Sequence, residues 1–151
     1  MTEVQRRPEG LIAWLELIRL PTVFTALADI LLGITLADNP LAQSKTAWLL
    51  AASAGLYLSG MVFNDVFDRH VDATQRPGRP LPSGRISLWG AVGLGIVLMG
   101  LGMTAAAVTG SAGQVIGPVL ALSVLAYDAG LKRTVVGPLS MGVCRFCNVL
   151  L

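Results

Sequence analysis

Long apolar runs separated by short polar breaks organise the whole chain. Runs at 14–37, 46–67, 88–108 and 115–131 each come close to the roughly 20 residues that a helix needs to cross a bilayer. A further apolar stretch at 135–151 reads as the start of a fifth. None shows the period-2 alternation of a membrane β-strand. The predicted class is therefore all-α, a multi-pass transmembrane helical bundle with a polar tail over 1–13 and residues 1–151 forming one unit. Polar residues interrupt the first run at Arg19, Pro21 and Asp29, and the last at Arg145 and Asn148. Asn39-Pro40 marks the turn between the first two spans. Gly55, Gly60, Gly93, Gly95, Gly100 and Gly102 predict close helix approach through small residues.

Composition supports lipid as the solvent. Charged residues make up 13% of the chain and hydrophobic ones 54%, whereas a soluble domain carries about 25% charged residues. A net charge of +2 without a basic, aromatic-rich stripe gives no case for a nucleic-acid partner. Cys144 and Cys147 form one C-x-x-C in an apolar stretch without a second ligand pair, so they read as small apolar fillers rather than a zinc site. The polar opening MTEVQRRPEG precedes no short apolar run with a cleavage site, and the first span is expected to stay as an anchor.

Basic residues are distributed unequally about the spans. With a cytoplasmic N-terminus, Arg6, Arg7, Arg69, Arg76, Arg79, Arg85, Lys132 and Arg133 fall on one side, and only Lys45 on the other. The expectation is a plasma (inner) membrane protein whose N-terminus and acidic motif face the cytoplasm.

That acidic motif is N-D-V-F-D-R-H-V-D at 64–72. On a helix Asp65, Asp68 and Asp72 fall on one face, with Asn64 beside them. Carboxylates crowded at the end of a membrane helix repel one another, and a charge at the bilayer centre costs about 2.5–3.5 kcal/mol. A divalent cation reverses the balance, and magnesium characteristically bridges a few carboxylates to substrate phosphates. The bland alternative is a solvated helix end. His70, offset from the stripe, reads as an ordinary interfacial residue. The loop that follows, R-P-G-R-P-L-P-S-G-R at 76–85, combines stiffening prolines with arginines able to grip phosphate oxygens in pairs; the competing reading is a positive loop retained for topology alone. A second cluster, Y-D-A-G-L-K-R at 127–133, adds Tyr127 and Lys132 as phosphate-binding candidates. Asp128 there is either a metal ligand or a salt-bridge partner, and Arg133 a helix-end anchor.

These motifs, with L-I-R-L-P-T at 17–22, resemble the UbiA superfamily of intramembrane prenyltransferases. The resemblance implies an all-helical fold of nine membrane helices around a cavity, of which this chain supplies about half. It implies magnesium-dependent transfer of a polyprenyl group from its diphosphate to an acceptor, often aromatic. Asn64, Asp65, Asp68 and Asp72 would bind metal, with Asp65 and Asp68 catalytic, and Arg76, Arg79, Tyr127 and Lys132 would bind the diphosphate. The family's second aspartate-rich motif, a D-x-x-x-D in a later helical hairpin, does not follow in this sequence, so the chain is expected to be an N-terminal portion of a longer protein or a truncated gene product, inactive unless another chain supplies the remainder. Two other functions stay open: a non-catalytic membrane scaffold derived from such an enzyme, and a transporter gated by acidic residues, for which Asp29 is the candidate. Oligomeric state and acceptor identity are not encoded in any motif.

Overall fold

A computed structural model describes residues 10–37 and 44–151. The readings that concern Arg6, Arg7 and the Asn39-Pro40 turn lie outside the described residues. The described elements are helices, with 3-10 turns at Leu20–Thr22 and Leu131–Arg133: α1 (Leu11–Ile18), α2 (Val23–Ala37), α3 (Thr46–Gln75), α4 (Leu88–Val108), α5 (Ser111–Ala129) and α6 (Gly137–Leu150). Among the described residues, four segments are long and apolar enough to cross a membrane: Leu11–Ala37, Thr46–Gln75, Leu88–Val108 and Ser111–Ala129. Large apolar side chains cover the outside, among them Leu11, Phe24, Trp89, Leu101 and Leu122. So much apolar surface suits contact with lipid and not with water. The chain is a multi-pass membrane protein.

Two departures from the apolar pattern matter for the site. The first span is broken. Arg19 adopts a left-handed backbone (φ 48°), and Leu20–Thr22 form a 3-10 turn with Pro21 at its start. Proline lacks the N–H that an uninterrupted helix would use, so the chain jogs and turns Arg19 toward α3. The second span is longer than its apolar run, because α3 continues through the acidic motif to Gln75. Hydrophobicity locates the membrane-crossing part, while the polar extension, in which weak helix formers outnumber strong ones, holds no glycine or proline before Pro77 to end it.

The central element is α3, which packs most extensively against α4 and also touches α1, α2 and α5. Its approach to α4 depends on absent side chains. A Cβ on Gly55 would lie 2.8 Å from the Gly102 Cα, and one on Gly102 would lie 2.8 Å from the Leu56 backbone nitrogen. Gly95 likewise makes room for the Phe63 ring, and Gly60 for Val124. Gly93 and Gly100 have no such neighbour within 4 Å, so the close-packing expectation does not extend to them. Ser59 Oγ adds an interhelical hydrogen bond to the Gly95 carbonyl (2.8 Å). Finally, α6 packs against α5 and returns to α2. There Gly33 admits the Val149 carbonyl to a position that a Cβ would block. A cavity is left between α2, α3, α5 and α6. Cys144 and Cys147 are buried and free, and they pack with Leu56, Leu120 and Ala121 as small apolar fillers.

Candidate active site

Up-and-down topology brings the C-terminal ends of α3 and α5 to one end of the bundle, together with the loop between α3 and α4. Lys45 lies at the other end and donates to the Thr109 carbonyl at 2.6 Å. Within the acidic motif, helical rotation of about 100° per residue sets Asp65 and Asp72 about 20° apart, and Asn64 and Asp68 about 40° apart. The four share one broad face, and it is their partners that divide it into two neighbouring edges.

The first edge is closed by the loop and by the jog in the first span. Arg79 Nη1 donates to both Asp65 Oδ1 (3.1 Å) and Asp72 Oδ2 (2.6 Å). Arg19 donates to the same Asp65 oxygen from the other side. Both carboxylates are buried, with side chains 4% exposed. The loop is held in place for this task. Ile86 is buried among Val62, Val66, Leu17 and Ala13, and its N–H donates to the Pro80 carbonyl (3.2 Å). Gly84, with φ 74°, makes the reversal that sends the chain into α4. Arg85 braces the loop by donating to Glu16 (2.7 Å) and to the Gly78 carbonyl (2.9 Å). Arg76 stands farther out, 60% exposed and 3.9 Å from Asp72.

The second edge is closed by the turn after α5. Lys132 Nζ donates to Asn64 Oδ1 (2.7 Å) and Asp68 Oδ2 (2.8 Å), and it lies 3.9 Å from Asp128 Oδ1. Arg133 donates to the other Asp68 oxygen at 2.7 Å. Arg133 is thus a partner of the motif, beyond the anchoring role assigned from sequence. Tyr127 is half-buried and lines the cavity beside Asn64 and Asp128. His70 is exposed on α3, as its offset implied. Among the described residues, no point gathers three or more acidic, histidine or cysteine side chains in a metal-ligating arrangement. Three oxygens do surround the Lys132 ammonium, and they are the hard donors that magnesium takes.

The cavity reaches this cluster at Arg19, Asn64 and Asp128 and measures about 280 Å³. Its walls are mainly apolar, with Leu56, Met61, Leu120 and Val124, but they carry a second polar group farther along α2 and α6. Arg145 Nη2 donates to Asp29 Oδ1 (2.6 Å), and Asn148 Nδ2 donates to the Ala26 carbonyl (2.9 Å) and to Asp29 Oδ2 (3.3 Å). Asp29, on which the transporter alternative leaned, is accordingly an ion-paired wall residue. Sequence reasoning had named Arg145 and Asn148 only as interruptions, with Arg19 also inside the L-I-R-L-P-T motif and Asp29 also as the transporter candidate. The available signal was their ionisable or amide character inside apolar runs, which in a membrane marks functional positions.

The chain is a helical membrane bundle in which an acidic helix end, closed by arginine and lysine, lies beside an apolar cavity. The model of the UbiA prenyltransferase family matches residues 22–151, and the chain belongs to that family. Digeranylgeranylglyceryl phosphate synthase of Saccharolobus solfataricus is 31% identical over 123 residues, covering 81% of this chain and 44% of that protein. The bacteriochlorophyll synthase 33 kDa chain of Rhodobacter capsulatus is 43% identical over 82 residues, covering 52% of this chain and 27% of that one. A solved structure concerned with digeranylgeranylglyceryl phosphate synthase in membranes superposes with a TM-score of 0.84 at 26% identity. That match covers 92% of this chain and 50% of the other. The chain spans about half the length of the curated relatives it matches.

Proposed function

We propose that the complete protein transfers a polyprenyl group from its diphosphate to an acceptor, and that the cluster described above is the diphosphate half of the site. One observation carries the reading: two pairs of oxygen donors on α3 are closed by cations from three separate elements beside one end of an apolar cavity. Without substrate, carboxylates and cations neutralise one another. With a magnesium diphosphate present, each finds a better-matched partner. Asn64, Asp65, Asp68 and Asp72 would hold magnesium, whose positive charge stabilises the diphosphate as a leaving group. Arg79 and Lys132 would then turn from carboxylate to phosphate oxygens, assisted by Arg76 from the rim.

The cationic side chains act where charge develops as the carbon–oxygen bond to the diphosphate breaks. Tyr127 sits between this pole and the cavity and would donate its hydroxyl hydrogen to a phosphate oxygen. The apolar wall formed by Leu56, Leu120 and Val124 would receive the prenyl chain and keep water from the electron-poor allylic carbon. The placement of basic residues favours a cytoplasmic position for this end in the plasma membrane. The family names of the relatives support prenyl transfer; acceptor, chain length and magnesium dependence are part of the proposal.

The reading is tested with membranes containing the complete protein, incubated with geranylgeranyl diphosphate, a membrane lipid extract as acceptor source, and magnesium. Mass spectrometry is expected to find a product heavier by one geranylgeranyl unit that disappears with excess EDTA. Absence of any prenylated product, or its persistence in EDTA, would count against the proposal.

A further inference from the structure

Arg85, the last residue of the basic loop, has a side chain 7% exposed, more enclosed than that of either Arg79 or Arg76. Its Nη2 donates to the Gly78 carbonyl (2.9 Å) and to Glu16 Oε2 on α1 (2.7 Å), and its Nε donates to Ser83 Oγ (3.1 Å). A guanidinium is a rigid planar fork, so bonds in several directions fix the groups it joins relative to one another. Adhesion between α1 and this region has another source. Ile86 is buried with Ala13 and Leu17, and the Trp14 ring lies beside Gly90 at the start of α4. Such apolar contact is non-directional. Arg85 supplies direction.

Two of the groups it joins lead to a cation on Asp65. The Gly78 carbonyl belongs to the planar peptide that ends at the Arg79 nitrogen, so holding that oxygen holds the point from which the Arg79 side chain departs. Glu16 leads to Arg19: its backbone carbonyl accepts from the Arg19 N–H (3.3 Å) at the jog in the first span. Arg79 and Arg19 reach the same Asp65 oxygen, and Arg85 is a polar link between the two segments that carry them. With the link in place, Arg79 can exchange its carboxylates for phosphate oxygens by side-chain rotation while its backbone stays put. Binding then carries a smaller ordering cost. We infer that Arg85 is a positioning residue for the diphosphate capture proposed above, acting through Arg79 by tying the Gly78–Arg79 peptide to Glu16 of α1.

The inference rests on the diphosphate reading, and one experiment separates the two. Purified complete protein in nanodiscs with magnesium is titrated with geranylgeranyl thiodiphosphate and, as a probe of the apolar cavity alone, geranylgeraniol. Arg85→Gln is expected to weaken the thiodiphosphate by about 10-fold, the scale of one charge-assisted hydrogen bond, and to leave geranylgeraniol within about 2-fold of normal. Arg79→Lys keeps a cation beside Asp65 and Asp72 but lacks the fork. In that background Arg85→Gln is expected to cost about 2-fold or less, because the group it positions has gone. A purely structural Arg85 would weaken both probes, or would weaken the thiodiphosphate equally in the two backgrounds. Either outcome, or unchanged thiodiphosphate binding in Arg85→Gln, overturns the positioning role. If thermal unfolding shows that Arg85→Gln does not fold, Arg85→Lys takes its place, keeping a charge for Glu16 with a single nitrogen instead of the fork. Thiodiphosphate affinity equal to that of the unaltered protein would then overturn the role. Failure of the unaltered protein to bind thiodiphosphate overturns the diphosphate reading and the positioning role with it.

Discussion

Asp68→Ala in the complete protein is expected to lower prenyl transfer by about 100-fold or more, the scale set by losing a group that organises a metal or transition-state charge. Asp65→Ala should match it. The two substitutions reach that result by different routes. Asp68 is the meeting point of Lys132 and Arg133, so its loss releases the turn after α5 as well as an oxygen proposed to bind metal. Asp65 is shared by Arg19 and Arg79, so its loss leaves two guanidinium groups facing one another across the helix end. Initial rates with saturating geranylgeranyl diphosphate and magnesium measure the effect. Near-normal rates in both variants would remove the acidic motif from the reaction.

The second large effect falls on stability. Arg79 bridges two buried carboxylates and its own side chain is 21% exposed. Arg79→Met removes the shared cation. Arg19 still faces Asp65, but Asp72 keeps only Arg76, which is mostly exposed and 3.9 Å away. Stranding a buried charge in this way costs about 3–5 kcal/mol. Arg76→Met should be nearly silent, since exposed ion pairs contribute about 1 kcal/mol or less. Thermal unfolding in detergent reads both. Arg79→Met/Asp72→Asn, in which the stranded charge is gone as well, should recover most of the loss. If the double variant is no more stable than Arg79→Met, the two residues are not coupled and the bridge contributes nothing.

Both predictions depend on residues that the sequence made visible for a simple reason: they are local. The acidic motif and the basic loop lie within one stretch of chain, and helical spacing alone groups Asn64 to Asp72. The membrane-crossing helices were legible because apolar length is a property of each run by itself. What the pattern did not reveal is pairing across distance. Arg19 meets Asp65 from 46 positions away, and Arg145 meets Asp29 from 116. In the linear pattern Arg19, Asp29 and Arg145 were isolated polar residues and Asp65 one of a cluster, and no spacing rule connects the pairs. The division of the motif into two edges also needed the partners, because three carboxylates within one helical face look alike until Arg79 and Lys132 are seen to come from opposite sides. Even the helix jog at Arg19 was only partly readable: Pro21 announces a break, but not the direction in which the arginine is turned.

The central claim is that this helix end binds a metal-complexed diphosphate through its head, and binding measures that without waiting for an acceptor. Purified complete protein is incubated with radiolabelled geranylgeranyl thiodiphosphate across a magnesium series, with inorganic pyrophosphate or geranylgeraniol as competitor. Saturable binding that rises with magnesium, falls to background in EDTA, and is displaced by pyrophosphate more effectively than by geranylgeraniol is the expected result. Binding that is indifferent to EDTA and displaced only by geranylgeraniol would contradict it, since recognition would then lie wholly in the apolar cavity.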